Sequence, residues 1–232
     1  MVFVYNIYDK NTKRVHFMKI VLGGIKGGSG KTTIATNLCV MRAAAGKKVL
    51  LVDADEQHSA SDWANQRDGM GISTSWSTIQ LSGKTLHLQI QRIEKDYDDI
   101  IIDVGGRDTT SQRSSLFSAD VFIVPFKPRS LDIWTIGSVK NMISEIIIYN
   151  PNLKCYALIN QADFRGSDNS DALEIISKNS ELKCMNVSIA NRKSFGNAAS
   201  EGLGVIEMKV KDLKAIEEMK MVYENIFVDK YI

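Results

Sequence analysis

Eight residues, Lys26 to Thr33 in the order KGGSGKTT, constrain this chain more than any other stretch. They follow the short apolar run Ile20-Val21-Leu22, which reads as a buried strand. They precede Ile34, Leu38 and Met41, which recur at helical spacing. Strand, glycine-rich loop, helix is the setting a phosphate-binding loop requires. Gly27, Gly28 and Gly30 let backbone N–H groups turn inward around phosphate oxygens. The helix that follows adds unpaired N-terminal donors and the positive end of its dipole. Lys31 can neutralise the β- and γ-phosphates of a nucleotide, and the Thr32 hydroxyl can ligate Mg²⁺. Ser29 and Thr33 complete the cradle. The loop departs from G-x-x-x-x-G-K-[ST], because Ile25 stands where the first glycine belongs and a second lysine, Lys26, precedes Lys31 by five residues. A solvated loop lysine is the plain alternative for Lys26, and the Gly-Gly pair after it argues against that.

The rest of the chain reads as strands alternating with helices. Val49 to Val52, Ile100 to Asp103, Val121 to Pro125, Tyr156 to Asn160 and Met185 to Ile189 are strand candidates. Leu131 to Tyr149, Ser170 to Lys178 and Lys209 to Phe227 are helix candidates. This alternation predicts a single P-loop domain of the α/β class, a mostly parallel twisted sheet with helices on both faces. Ligands of such sheets gather at the carboxyl ends of strands, where the loop, Asp53 and Asp103 all fall. Asp53 and Asp55 emerge two residues apart where the second strand stops. Strand alternation puts them on one side, where two carboxylates beside a phosphate loop repel unless a metal intervenes.

Composition narrows the alternatives. A chain of 232 residues with 44% hydrophobic content can bury one sizeable core. The net charge of +2 permits a basic patch without demanding one. Cys39, Cys155 and Cys184 are far apart in apolar surroundings and read as buried thiols, not as a disulfide frame or metal site. No stretch approaches the ~20 apolar residues of a membrane span. His16, His58 and His87 show no metal spacing, and Trp63, Trp76 and Trp134 read as core or helix-face residues. Residues 1–17 lack a signal-peptide core and are open to three readings: an upstream extension, a hairpin strand, or a start displaced from Met18.

The sequence K-G-G-x-G-K-[ST] resembles the deviant Walker A box of the ParA/MinD family of ATPases. The likeness covers almost the whole chain from Met18, so residues 18–232 are read as the ATPase domain. In that family the early lysine, here Lys26, reaches across a dimer interface to the partner's nucleotide. LLVDADEQ, Leu50 to Gln57, resembles the switch I segment V-D-x-D-P-Q, with Glu56 in place of the usual proline. That match implies that Asp55 positions the attacking water and Asp53 holds Mg²⁺ through a bound water. YDDIIIDVGGRD, Tyr97 to Asp108, resembles Walker B followed by switch II, which implies Asp103 as a metal residue. Asn160, in LINQ, falls where the family reads adenine with polar side chains. The GGRD form, with the stretches 59–67, 119–134 and 191–207, is similar to the small plasmid-partition ParA proteins.

The resemblance implies a Mg²⁺-dependent ATPase of DNA segregation. ATP would drive a homodimer, the dimer would bind non-specific DNA, and a small centromere-binding adaptor of the ParB type would stimulate hydrolysis and release. The expected location is the cytoplasm, on the nucleoid, with no membrane contact. A MinD-like membrane-positioning ATPase would need a basic amphipathic tail, and a ParA-like cargo-positioning ATPase would share every motif. An iron–sulfur reductase would need cysteines close behind switch II, which Cys155 and Cys184 are not. The residues offered for DNA are Arg192, Lys193, Lys211 and Lys214, the last two read as neighbours on one face of the final helix.

Overall fold

Short runs of β-branched and aliphatic residues bounded by turn residues suit strands buried on both faces, and the chain has several. A computed structural model describes residues 17–107, 109–128, 135–163, 168–177 and 181–228. The strands are β1 (Met18–Leu22), β2 (Val49–Ala54), β3 (Trp76–Gln80), β4 (Asp99–Val104), β5 (Val121–Phe126), β6 (Lys154–Ala162) and β7 (Lys183–Ala190). They form one sheet in the order β3-β2-β4-β1-β5-β6-β7, and every pairing is parallel. The helices are α1 (Lys31–Ala44), α2 (Ser59–Gly69), α3 (Leu86–Ile93), α4 (Thr110–Leu116), α5 (Ile136–Ile147), α6 (Asp168–Ser177), α7 (Lys193–Ser200) and α8 (Leu213–Phe227).

Side-chain alternation along the strands splits the core in two. Ile20 and Leu22 of β1, Val49 and Leu51 of β2, and Ile101 of β4 face α1, α2, α7 and α8. Val21, Leu50, Val52, Ile100 and Ile102 face α3, α4, α5 and α6. Strand β1 lies between β4 and β5, so the chain turns to opposite sides of β1 and leaves a crevice at its carboxyl end. The phosphate-binding loop occupies that crevice. Residues 1–16, with His16, lie outside the described residues, as does Trp134.

The expected helix 131–149 is described from Ile136 to Ile147, and residues 131–134 lie outside the description. The last helix starts later than the apolar spacing suggested. Asp212 accepts a hydrogen bond from Ala215 N at 3.1 Å and ends the preceding loop, so Lys211 is outside the helix. The three-residue helical spacing expected for Lys211 and Lys214 is therefore not formed. Cys39 and Cys155 are buried as expected, whereas Cys184 is half-buried.

At the end of the sheet away from the loop, α1 and α8 are tied to β4 by a buried ion pair. Arg42, 1% exposed, donates through Nε to Asp99 Oδ2 at 2.8 Å, donates through Nη2 to the same oxygen, and donates through Nη1 to the Tyr223 hydroxyl at 2.9 Å. The Phe227 ring lies 4.1 Å from the guanidinium carbon. Burial pushes the Asp99 carboxyl up to about 6, against the pull of Arg42. Removing the acid alone would leave a buried guanidinium without its counter-charge. Asp99→Ala is expected to lower stability by about 3–5 kcal/mol in urea unfolding, with the unfolding slope unchanged.

Candidate functional site

The loop between β1 and α1 is shaped by glycines in the left-handed region and by one with no room for a side chain. Gly28 and Gly30 have φ of +71° and +91°. A Cβ on Gly30 would stand 2.1 Å from Asn160 Nδ2, and one on Gly106 would stand 2.5 Å from Gly27 N. Strand β6 and the turn after β4 therefore close directly on the loop backbone. Asn160 donates to Ser29 O at 2.6 Å, and Gln161, itself at φ +54°, donates to Gly28 O at 3.1 Å. Two neighbouring amides at the end of β6 thus hold two successive carbonyls of the loop. The resemblance implied Asn160 as a base contact; in the structure its amide is bonded to the loop backbone.

Lys31, 6% exposed at the first position of α1, donates through Nζ to Lys26 O at 3.0 Å. Burial lowers its pKa, while Asp103 and Asp55 act the other way. Lys26 is half-buried on the same loop. A third ammonium is present that sequence reasoning passed over: Lys127 Nζ, after β5, lies 3.7 Å from where a Cβ on Gly28 would be. Its signal in the sequence is only a lysine following a buried strand.

The three expected carboxylates converge here but are placed differently. Asp53, 1% exposed, accepts from Asp55 N at 3.2 Å and from Ser61 N at 2.8 Å. Both of its oxygens are occupied by backbone amides, so it closes the turn after β2 and caps the start of α2. Asp55 is half-buried, accepts from Gln57 N at 3.1 Å, and lies beside switch II, its Oδ1 being 3.1 Å from a Cβ placed on Gly105. Asp103 is fully buried, and neither of its oxygens makes a hydrogen bond of full geometry, the Thr32 hydroxyl being the side-chain donor that faces it. Burial pushes its carboxyl up to about 7, with Thr32 and Lys31 only partly offsetting that and with Asp53 and Asp55 adding to it.

Orphaned lone pairs beside a loop threonine suit a hard cation. Asp103 and Thr32 are the residues that would hold Mg²⁺. Among the described residues no cluster of three His, Cys, Asp or Glu could hold an ion. Mg²⁺ keeps several waters and binds through one or two protein groups plus phosphates, so the sparse protein set fits.

The raised Asp103 pKa has a consequence for stability. The folded state binds a proton that the unfolded state, with a carboxyl near 3.8, has released. Its contribution is full below about pH 4 and is lost as pH rises through about 7. The melting temperature of the nucleotide-free protein is expected to fall over that window more steeply than that of Asp103→Asn. Equal slopes in the two proteins would show that Asp103 titrates normally.

Gln112 has no sequence signal. Buried on α4, it accepts from Gly24 N at 2.8 Å and fixes the root of the loop from the switch II side. These elements enclose a cavity of about 980 Å³ lined by the loop, Asp55, Glu56, Gly105, Gly106 and the inner face of α2. Of the four residues offered for DNA, Arg192 pairs with Glu218 at 2.6 Å, and Lys211 Nζ donates to Ile206 O. Lys193, Lys211 and Lys214 are all exposed. No described helix is long and apolar enough to cross a membrane.

The fold and its loop define a P-loop nucleotide-binding protein. The chain belongs to the CobQ/CobB/MinD/ParA nucleotide-binding domain family, whose model matches residues 20–206. It is 25% identical over 209 residues to the maintenance of carboxysome distribution protein A of Halothiobacillus neapolitanus, covering 89% of this chain and 95% of that protein. A Cyanothece McdA–ATP complex superposes with a TM-score of 0.75 at 15% identity, covering 94% of this chain and 99% of that one. A plasmid partition protein from Borrelia burgdorferi B31 bound to AMPPNP superposes with a TM-score of 0.69 at 18% identity, covering 93% and 100%.

Proposed function

We propose that the chain is a Mg²⁺-dependent ATPase of the ParA type that forms a homodimer on ATP binding and binds DNA without sequence preference. The observation that carries this reading is one loop with two lysines, Lys26 and Lys31, of which Lys31 lines a cavity together with Thr32 and Asp55 and lies close enough to the buried Asp103 to feel its charge. Lys31 and the loop N–H groups of Gly27 to Thr33 bind the β- and γ-phosphates. Mg²⁺, held by Thr32 and Asp103 with Asp53 behind them, would supply charge neutralisation of the phosphate oxygens. Asp55 orients the attacking water. Lys26 meets the nucleotide of a second subunit, so its charge counts only in the dimer. Asn160 holds the loop from the base side.

Lys193, Lys211 and Lys214 form the DNA patch. Arg192 is committed to Glu218 and contributes less. Dimerisation doubles the phosphate contacts, so affinity rises steeply with ATP. A small adaptor of the ParB type stimulates hydrolysis and returns the monomer from the nucleoid. A second reading is favoured by the match over 89% of the chain to a carboxysome distribution protein: a cargo-positioning ATPase that uses the same cycle on DNA. Both readings are tested by gel shift on random-sequence DNA with ATP, ADP and no nucleotide. Retardation is expected with ATP alone, weakening with salt by a log–log slope of about −0.9 per neutralised phosphate. Absence of any shift at ~50 mM salt, with binding to anionic vesicles instead, would favour a membrane-positioning role.

A further inference from the structure

The two edges of the sheet are treated differently. On β7, Lys183 stands at the first position, the ladder to β6 shifts register at two places, and Ala190 N donates to Glu218 of α8. Lysines, irregular ladders and a covering helix keep an edge from pairing with another chain. Among the described residues, β3 has none of these devices. Residues 69–83, GMGISTSWSTIQLSG, contain neither a charge nor a proline. The ladder from β3 to β2 keeps one register throughout.

The direction of the free backbone groups follows from that register. Leu81 N donates to Asp53 O, so in a parallel ladder Ser77 and Ile79 also turn their backbone groups toward β2. Trp76, Thr78 and Gln80 turn theirs outward. Among the described residues, no backbone hydrogen bond reaches these outward groups. Beside them, α2 and β3 leave a cavity of about 440 Å³ whose lining includes Asn65, Asp68, Trp76 and Gln80. Trp76 Nε1 is buried and has no hydrogen-bond partner.

We propose that the β3 edge is a self-association surface, which pairs antiparallel with β3 of a second copy about a two-fold axis at Thr78. The outward residues are spaced symmetrically about that position. Trp76 then faces Gln80 of the second copy, Thr78 faces its own equivalent, and Gln80 faces Trp76 of the second copy. All three are pairs that exchange both backbone bonds, so about six hydrogen bonds close in one register. The segment brings no charge to the axis, so its own copy meets no repulsion, and a threonine pair is a favourable cross-strand contact. A different partner selected by charge would find only Asp68 in the groove wall. The register also brings a glutamine amide toward the groove lined by the indole whose N–H lacks an acceptor. A five-residue edge gives an interface at the small end of the specific range, so association is weak and depends on concentration. No β3 residue lines the nucleotide cavity, and the inference stands apart from the ATPase reading.

The test is sedimentation equilibrium without nucleotide, which excludes an ATP-driven dimer. The weight-average mass of the wild type is expected to rise with concentration across roughly 10 µM to 1 mM. Thr78→Lys places two ammonium groups at the axis and should remain monomeric while binding ATP with unchanged affinity. Thr78→Cys should form a disulfide dimer under copper–phenanthroline oxidation, because the paired Cα atoms would be about 5.5 Å apart. Ser77→Cys, facing the other side of the sheet, should cross-link several-fold more slowly. A wild type that stays monomeric throughout would overturn the proposal. Association of Thr78→Lys equal to wild type, or equal cross-linking at positions 77 and 78, would do the same.

Discussion

Lys31→Ala is expected to abolish measurable ATP binding. The side chain is 6% exposed and is already committed to the inner wall of the loop through Lys26 O. In the proposed complex its ammonium would meet phosphate in a largely desolvated place, where charge-assisted bonds are strong. Truncating one member of such a charge pair costs about 2–5 kcal/mol, a loss of roughly 30-fold to several thousand-fold in affinity. The backbone cradle survives the substitution, because its shape is set by Gly28, Gly30 and the two amides of Asn160 and Gln161. The mutant should fold normally and fail only in calorimetric titration with ATP. Near-native affinity would remove the loop from the account.

Asp55→Ala should show the opposite separation, with binding kept and turnover lost. Asp55 contacts no residue of the loop by hydrogen bond; its bond is to Gln57 N within its own turn. Asp53 holds that turn independently through Asp55 N and Ser61 N. What disappears is a carboxylate at the mouth of the cavity, beside Gly105 of switch II. A water-positioning group acts mainly in the transition state, so hydrolysis should fall on the order of 10²-fold or more with little change in ATP affinity. Unchanged turnover at saturating activator would assign the water to another residue.

The sequence made the centre of the sheet legible and its margins less so. Strands such as Ile100 to Asp103 are apolar on both faces, and the structure extends that one by a single residue at each end. The loop and the acids at the carboxyl ends of β2 and β4 were legible because their chemistry dictates residue types at fixed spacing. Strand β3 was missed. At an edge it is only half-buried, and WSTIQ has no continuous apolar run. The start of α8 was misplaced because an aspartate inside an apolar–basic pattern reads as surface until its capping bond is seen. Gln112 and Lys127 were invisible for another reason. Their roles come from α4 and β5 arriving beside the loop, which is a fact of topology and not of local pattern.

Asp53 shows how the structure refines a motif. Two carboxylates two residues apart read as equivalent in the sequence. Three dimensions give one to the backbone of α2 and leave the other at the cavity, while the unpaired lone pairs belong to Asp103.

The central claim is that ATP joins two subunits through a lysine that acts only across their interface. Multi-angle light scattering of Asp55→Ala and Lys26→Ala, each with and without Mg²⁺·ATP, tests it most directly. Asp55→Ala, slow in hydrolysis, should accumulate as a dimer with ATP and return to monomer without it. Lys26→Ala should bind ATP with little change in monomer affinity yet remain a monomer, since its phosphate contact exists only in the pair. Equal dimerisation of both variants, or no ATP-dependent dimer in either, would contradict the account.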